Sequence, residues 1–134
     1  MSTQSLEQLE GDRWPDPGPE ATRLMRDVHS ARTVPLGTLD PSQLRVLVRQ
    51  QVGLAHVVPV ALDALANDPL LEADYYPGDL LAALLDLTAE YWSAHPAEAG
   101  IVDDLLTAVD PSDERLLDAE DLTESAAAFR QRSR

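Results

Sequence analysis

The three histidines, His29, His56 and His95, are the side chains whose chemistry best suits proton transfer near neutral pH or metal ligation. None has a second histidine or a carboxylate at metal-ligand spacing of the His-Glu-x-x-His type. His95 precedes Pro96 at an expected helix start and reads as a capping residue, and His56 reads as a buried or half-buried structural imidazole. A serine paired with a histidine would have to be assembled by the fold, since no Gly-x-Ser-x-Gly elbow exists. Asp103-Asp104 and the Asp118, Glu120, Asp121 group could attract a divalent cation, but the central glycine and terminal glutamate of a calcium loop are missing. They read as solvated carboxylates on helix surfaces. The six glycines form no phosphate cradle and no lysine exists to contact phosphate, so nucleotide binding is not expected. The absence of cysteine excludes disulfides, thiolate metal sites and a thiol nucleophile. These residues predict no enzyme, no cofactor and no metal centre.

Binding is the chemistry that remains. Asp74-Tyr75-Tyr76-Pro77-Gly78-Asp79 is the most distinctive segment, with two aromatics and two carboxylates on an expected turn. Two readings stay open. The tyrosines could anchor an interface, where Tyr is a frequent hot spot, or they could pack on the core while Pro77-Gly78-Asp79 starts a helix. The candidate partner-binding residues are Asp68, Glu72, Asp74 and Asp79, with Tyr75 as the possible anchor.

Net charge is −14, and its distribution says more than its total. Residues 1–49 carry six Arg against seven acids, and residues 115–134 carry four Arg against four acids. From Gln50 to Glu114 there are thirteen acids and no basic residue, so nearly all the net charge lies there. Such a field repels nucleic acid and anionic membranes and steers basic partners inward, although acidic faces also simply keep proteins soluble. The stretch Met1 to Asp12 lacks the basic-then-apolar order of a signal peptide, and no apolar run reaches membrane-spanning length. A cytoplasmic protein is expected.

The elements that must position these residues are all helical. Length and a 44% hydrophobic content predict one domain over 1–134, with a core of Leu, Val and Ala because aromatics are only 4%. Asp40-Pro41-Ser42-Gln43 combines an N-cap, a first-turn proline and a capping-box glutamine ahead of Leu44, Leu47, Val48 and Val52, in a helix expected to end at Gly53. Pro19 is expected to open a helix with Ala21, Leu24, Met25 and Val28 inward. Leu54 to Asn67 forms another, with Pro59 in its first turn or kinking it. Asp79 suits the positive end of a helix dipole before Leu80, Leu81, Leu84 and Leu85. His95-Pro96 precedes a stripe of Ile101, Val102, Leu105, Leu106 and Val109; Asp110-Pro111 starts a short helix, and Asp118 with Asp121 starts a last one through Phe129. Leu6 and Leu9 suggest a short N-terminal helix. No period-two alternation or Asn-Gly turn supports a sheet. The expected fold is all-α, a compact bundle of about six to eight short helices.

Several runs together resemble the small helical family of contact-dependent growth inhibition (CDI) immunity proteins. They are Leu6-Glu7-Gln8-Leu9-Glu10 leading to Trp14, Pro35-Leu36-Gly37-x-Leu39, Leu44-Arg45-x-Leu47 through Gln50, and Gly53-Leu54 to Val58-Pro59-x-Ala61-Leu62. Tyr76-Pro77-Gly78-Asp79-Leu80-Leu81 and Trp92-x-x-His95-Pro96 complete the set, which spans residues 5 to 100 in the family's order. The resemblance implies a non-catalytic protein that binds and neutralises the toxic C-terminal domain of a secreted bacterial effector. Its partner would be a cognate toxin domain, basic in charge, for which a nuclease is the candidate kind, with no nucleic acid or membrane bound by this chain itself. The other reading is an acidic helical adaptor or nucleic-acid mimic that binds another basic host protein. Neither reading fixes the oligomeric state of the free protein.

Overall fold

The computed structural model describes residues 3–132; Met1, where the signal-peptide reading begins, and Arg134, counted in the charge profile, lie outside them. Eight α-helices appear in chain order: α1 (Leu6–Glu10), α2 (Arg23–Thr33), α3 (Pro41–Arg49), α4 (Leu54–Ala66), α5 (Asp79–Leu85), α6 (Ala89–Ala94), α7 (Pro96–Ala108) and α8 (Glu120–Arg132). Two short 3-10 turns, Leu36–Thr38 and Glu114–Asp118, complete the set. Among the described residues there is no strand, only an isolated antiparallel bridge between Ser5 and Pro35. The fold is all-α, as the helical periodicities predict.

All seven residues of α5 are buried, so this short apolar helix is the axis around which the others pack. Helices α3 and α8 lie against it most extensively, α4 packs on α3 and α7, α2 packs on α3, and α1 packs on α2. A helix apolar all round can be stable only with partners on every side. Leu and Val dominate the core, and Trp92 and Phe129 are its only buried aromatics among the described residues. These two rings meet edge to face at 5.9 Å, and the Trp92 indole N–H donates to the Leu84 carbonyl at 3.2 Å, which joins α6 and α8 to the end of α5.

The helix starts follow local capping chemistry. Ser5 with Gln8 and Asp40 with Gln43 form reciprocal capping boxes, and Thr22 and Thr88 accept from the third residue of their helices. Other boundaries differ from the sequence reading. Helix α2 starts at Arg23 rather than at Pro19, because the Thr22 hydroxyl supplies the cap; Ala21 and Val28 are buried as expected, but Leu24 (45% exposed) and Met25 (51%) are outside the core, which takes Ala31 and Arg32 instead. Helix α3 ends at Arg49, before Gly53. Gln51 there adopts a left-handed φ of 55°, and the Val52 N–H folds back onto the Leu47 carbonyl at 2.9 Å. Gly53 instead starts α4, at a φ of 60°, where a Cβ would meet Leu6 at 2.7 Å. Pro59 lies in the interior of α4, beyond its first turn, on an exposed position.

Three further corrections concern two caps and one apolar stripe. His95 makes no side-chain cap to α7; its Nδ1 meets the Tyr91 carbonyl at 2.8 Å and its ring stacks on Tyr91 at 4.1 Å. Asp110 does not start a helix but closes a turn onto the Ser112 N–H at 2.9 Å, and Asp113 caps the following 3-10 turn. Ile101 of the expected stripe is exposed, whereas Val102, Leu105 and Leu106 are buried and Val109 packs partly buried against the core. Among the described residues no helix is long and apolar enough to cross a membrane.

Candidate functional site

The loop between α4 and α5 carries four of the five candidate residues, and the fifth, Asp79 at the start of α5, is what gives it shape. This carboxylate is fully buried (0% exposed) at the first position of α5. It stands in the first turn of α5, as expected, but makes no side-chain cap to that helix. It turns back to accept three loop N–H groups, from Ala73 at 2.6 Å on Oδ1 and from Asp74 and Tyr75 at 2.8 Å on Oδ2. A carboxylate is an acceptor-only group with room for several donors, so one side chain satisfies three successive amides. Gly78 makes this reversal possible. Its φ is 85°, and a Cβ there would lie 2.5 Å from Leu122 of α8. Asp79 is thus engaged internally, and its contribution to any surface is to hold the segment 73–75 in place.

What the loop presents outward is a mixed surface rather than an acidic one. Tyr75 is 73% exposed, with the Arg45 guanidinium 4.7 Å from its ring centroid, whereas Tyr76 is half-buried and packs against the core. Burial raises the Tyr76 phenol above its ordinary pKa, helped by the neighbouring charge of Asp121. Asp74 accepts from the Ser42 hydroxyl at 2.6 Å and lies 3.7 Å from Arg45. Asp68 accepts from Arg115 at 2.8 Å and from the Leu70 N–H at 3.1 Å, and the Arg115 bond holds its carboxyl below the usual range. Glu72 is exposed and makes no ion pair among the described residues. The fold therefore brings Asp74, Tyr75 and Asp79 together, places Asp68 against the segment before α8, and leaves Glu72 in solvent.

Tyr75 and Asp74 form one wall of an open cleft of about 640 Å³ whose other walls are α2 and α3, through Arg23, Leu24, Asp27, Arg45 and Arg49. A second, more apolar cleft of about 540 Å³ adjoins it between Trp14, Pro15, Pro17, Met25 and Val28, and the two share Leu24 and Gln50. Trp14 is held in place by Arg32, a guanidinium only 1% exposed that lies 4.0 Å from the indole centroid. Arg32 also pairs with Glu10 at 2.9 Å and donates to the Asp12 carbonyl at 2.8 Å, which fastens the proline-rich segment onto α2. Trp14, Leu24, Met25 and Arg45 are absent from the candidates read from sequence. The adjacent Leu24-Met25 pair was a usable signal, since neighbours on a helix are 100° apart and a narrow buried face cannot take both.

The histidines are dispersed. His29 lines the apolar cleft, His56 is half-buried on α4, and His95 is stacked on Tyr91. No group of three or more His, Asp or Glu among the described residues is arranged to hold a metal ion.

No curated protein matches the sequence. A family model, that of the CDI immunity proteins, matches residues 8–102. This span is well over half the chain and runs from α1 into α7, so it takes in both clefts, the Asp79-organised loop and the central helix. On that match, the chain belongs to the CDI immunity protein family.

Proposed function

We propose that this protein binds and neutralises the toxic C-terminal domain of a secreted bacterial effector, in the cytoplasm of the cell that makes both, by occluding it without catalysis. The carrying observation is the family match over residues 8–102. The chain acts as one domain in this reading, and the toxin is basic, of the kind that handles nucleic acid. The charge supports that choice: a protein of net charge −14 accelerates encounter with a cationic partner and repels the nucleic acid for which it would substitute. Asp68, Glu72, Asp74 and Tyr75 belong to the contact region, while Asp79 sets the geometry of the loop that carries them.

The test is to purify the toxin domain encoded beside this chain and to measure complex formation, toxin activity and association rate across ionic strength. The expected result is a stoichiometric complex, loss of toxicity on co-expression, and an on-rate that falls steeply with salt. Failure of co-expression to protect the cell would end the immunity reading. An on-rate indifferent to salt would remove the basic-toxin part alone.

A further inference from the structure

We infer that the toxin is gripped at the paired clefts along α2, where a large apolar side chain from one of its loops inserts between Trp14, Leu24 and Met25 and is flanked by Tyr75. The inference rests on the immunity reading and adds the surface and the chemistry of its anchor. Among the described residues six large hydrophobic side chains are exposed, and four of them, Trp14, Leu24, Met25 and Tyr75, line these two clefts. The other two, Ile101 and Leu117, stand outside them, on α7 and on the 3-10 turn before α8. Clustered exposed aromatics and Met beside Arg are the composition of an interface centre, where charged groups are otherwise depleted.

The local electrostatics fit an apolar anchor. The acids of the first cleft already have cationic neighbours, Asp74 3.7 Å from Arg45 and Asp27 3.8 Å from Arg23, while Asp16 in the second accepts the Gly18 N–H at 2.8 Å. An entering apolar group there strips water from compensated charges rather than from isolated ones. Arg45 also has unused hydrogen-bonding capacity. Its ion-pair contacts to Asp74 and Asp79 are both 3.7 Å, beyond hydrogen-bond reach, and its Nε is buried without a partner. A partner segment seated in the cleft that Arg45 lines would bring carbonyl acceptors within range of that guanidinium.

The site is also built for low ordering cost. Arg32 clamps Trp14 from below, and Asp79 fixes the backbone of Tyr75, so two anchors on opposite sides are held before a partner arrives. A second copy of this chain is the less fitting occupant, because two molecules of charge −14 repel, whereas a basic toxin is attracted as a whole and docks where local charge is balanced.

The test compares single exposed-residue variants in binding to the purified toxin domain encoded beside this chain, each checked for an unchanged helical spectrum. Met25→Glu and Leu24→Glu are expected to weaken the complex by about 30-fold or more, as for an interface hot spot. Ile101→Glu and Leu117→Glu, likewise exposed but off the clefts, should stay within about threefold of wild type. With 5-fluorotryptophan incorporated, one of the two 19F resonances, that of Trp14, should shift on complex formation while that of the buried Trp92 stays. If the wild type binds the toxin but the cleft variants bind as well as it does and the Trp14 signal is unmoved, the clefts are not the grip and the immunity reading stands without them. If the wild type fails to bind the toxin, the immunity reading falls and this inference with it. A free protein that sediments as a dimer and is dissociated by Met25→Glu would assign the clefts to a second copy and overturn the proposal.

Discussion

Replacing Asp79 with Asn keeps the shape of the side chain and changes only its charge and one acceptor, so it isolates what the buried carboxylate does for the loop before α5. In the wild type Oδ2 takes two N–H groups and Oδ1 a third, at 2.6 to 2.8 Å. The amide of Asn can point its oxygen at Asp74 and Tyr75, but its NH2 then opposes the Ala73 N–H, donor against donor. Two charge-assisted bonds become neutral ones, at about 1 kcal/mol each, and one donor is left unsatisfied at about 1 to 2 kcal/mol. The expected loss is about 3 kcal/mol, or roughly 10 °C in melting temperature for a chain of this size. Urea unfolding monitored by circular dichroism measures the first figure, and hydrogen exchange supplies a local check: the amides of Ala73, Asp74 and Tyr75 should lose protection well before those of α5. A loss below about 1 kcal/mol with unchanged protection at those three amides would refute the claim that Asp79 organises the loop.

Gly78→Ala forces an L side chain into a φ of 85° with its Cβ 2.5 Å from Leu122, and should cost about 2 to 4 kcal/mol in urea unfolding; a variant as stable as wild type would mean that α8 shifts freely. On the acid side, the Arg115 hydrogen bonds lower the Asp68 and Asp113 carboxyls in the folded state, so their contribution is complete above the unfolded pKa near 3.8 and is lost as pH falls through the lowered folded values. Arg115→Gln should flatten the stability curve below about pH 4, most clearly at low salt, and parallel curves for the two proteins would contradict the pairing. On the alkaline side, burial first and Glu98 second push the Tyr91 phenol up to about 12, against about 10 when unfolded, so stability should decline as pH rises from about 10 to about 12. Tyr91→Phe should remove that decline; its persistence in the variant would assign it to another group.

The helical class, the α3 capping box and the Leu-Val-Ala core were legible from sequence because each depends on residues within one or two turns of each other. Periodicity and capping are short-range properties, and short-range signals survive without knowledge of the fold. Asp79 shows where that stops. Its position before an apolar run makes it look like a charge on its own helix dipole, but a carboxylate binds whichever donors the fold brings nearest, and Gly78 turns the chain so that these are the amides of 73 to 75. Asp68 and Asp74 read as free acids because the stretch from Gln50 to Glu114 contains no base; their cations come from Arg115 and Arg45, 47 and 29 positions away in sequence. Leu24 and Met25 read as core because an apolar periodicity reports which face could be buried, whereas only neighbouring elements determine which face is covered. The clefts they border are made by residues 14 to 75 meeting across three segments, and such a surface exists in no single stretch of the chain. Sequence alone determined the elements and the family; the surface on which a partner can be gripped was decided by long-range packing, because pairing and burial depend on distance in space.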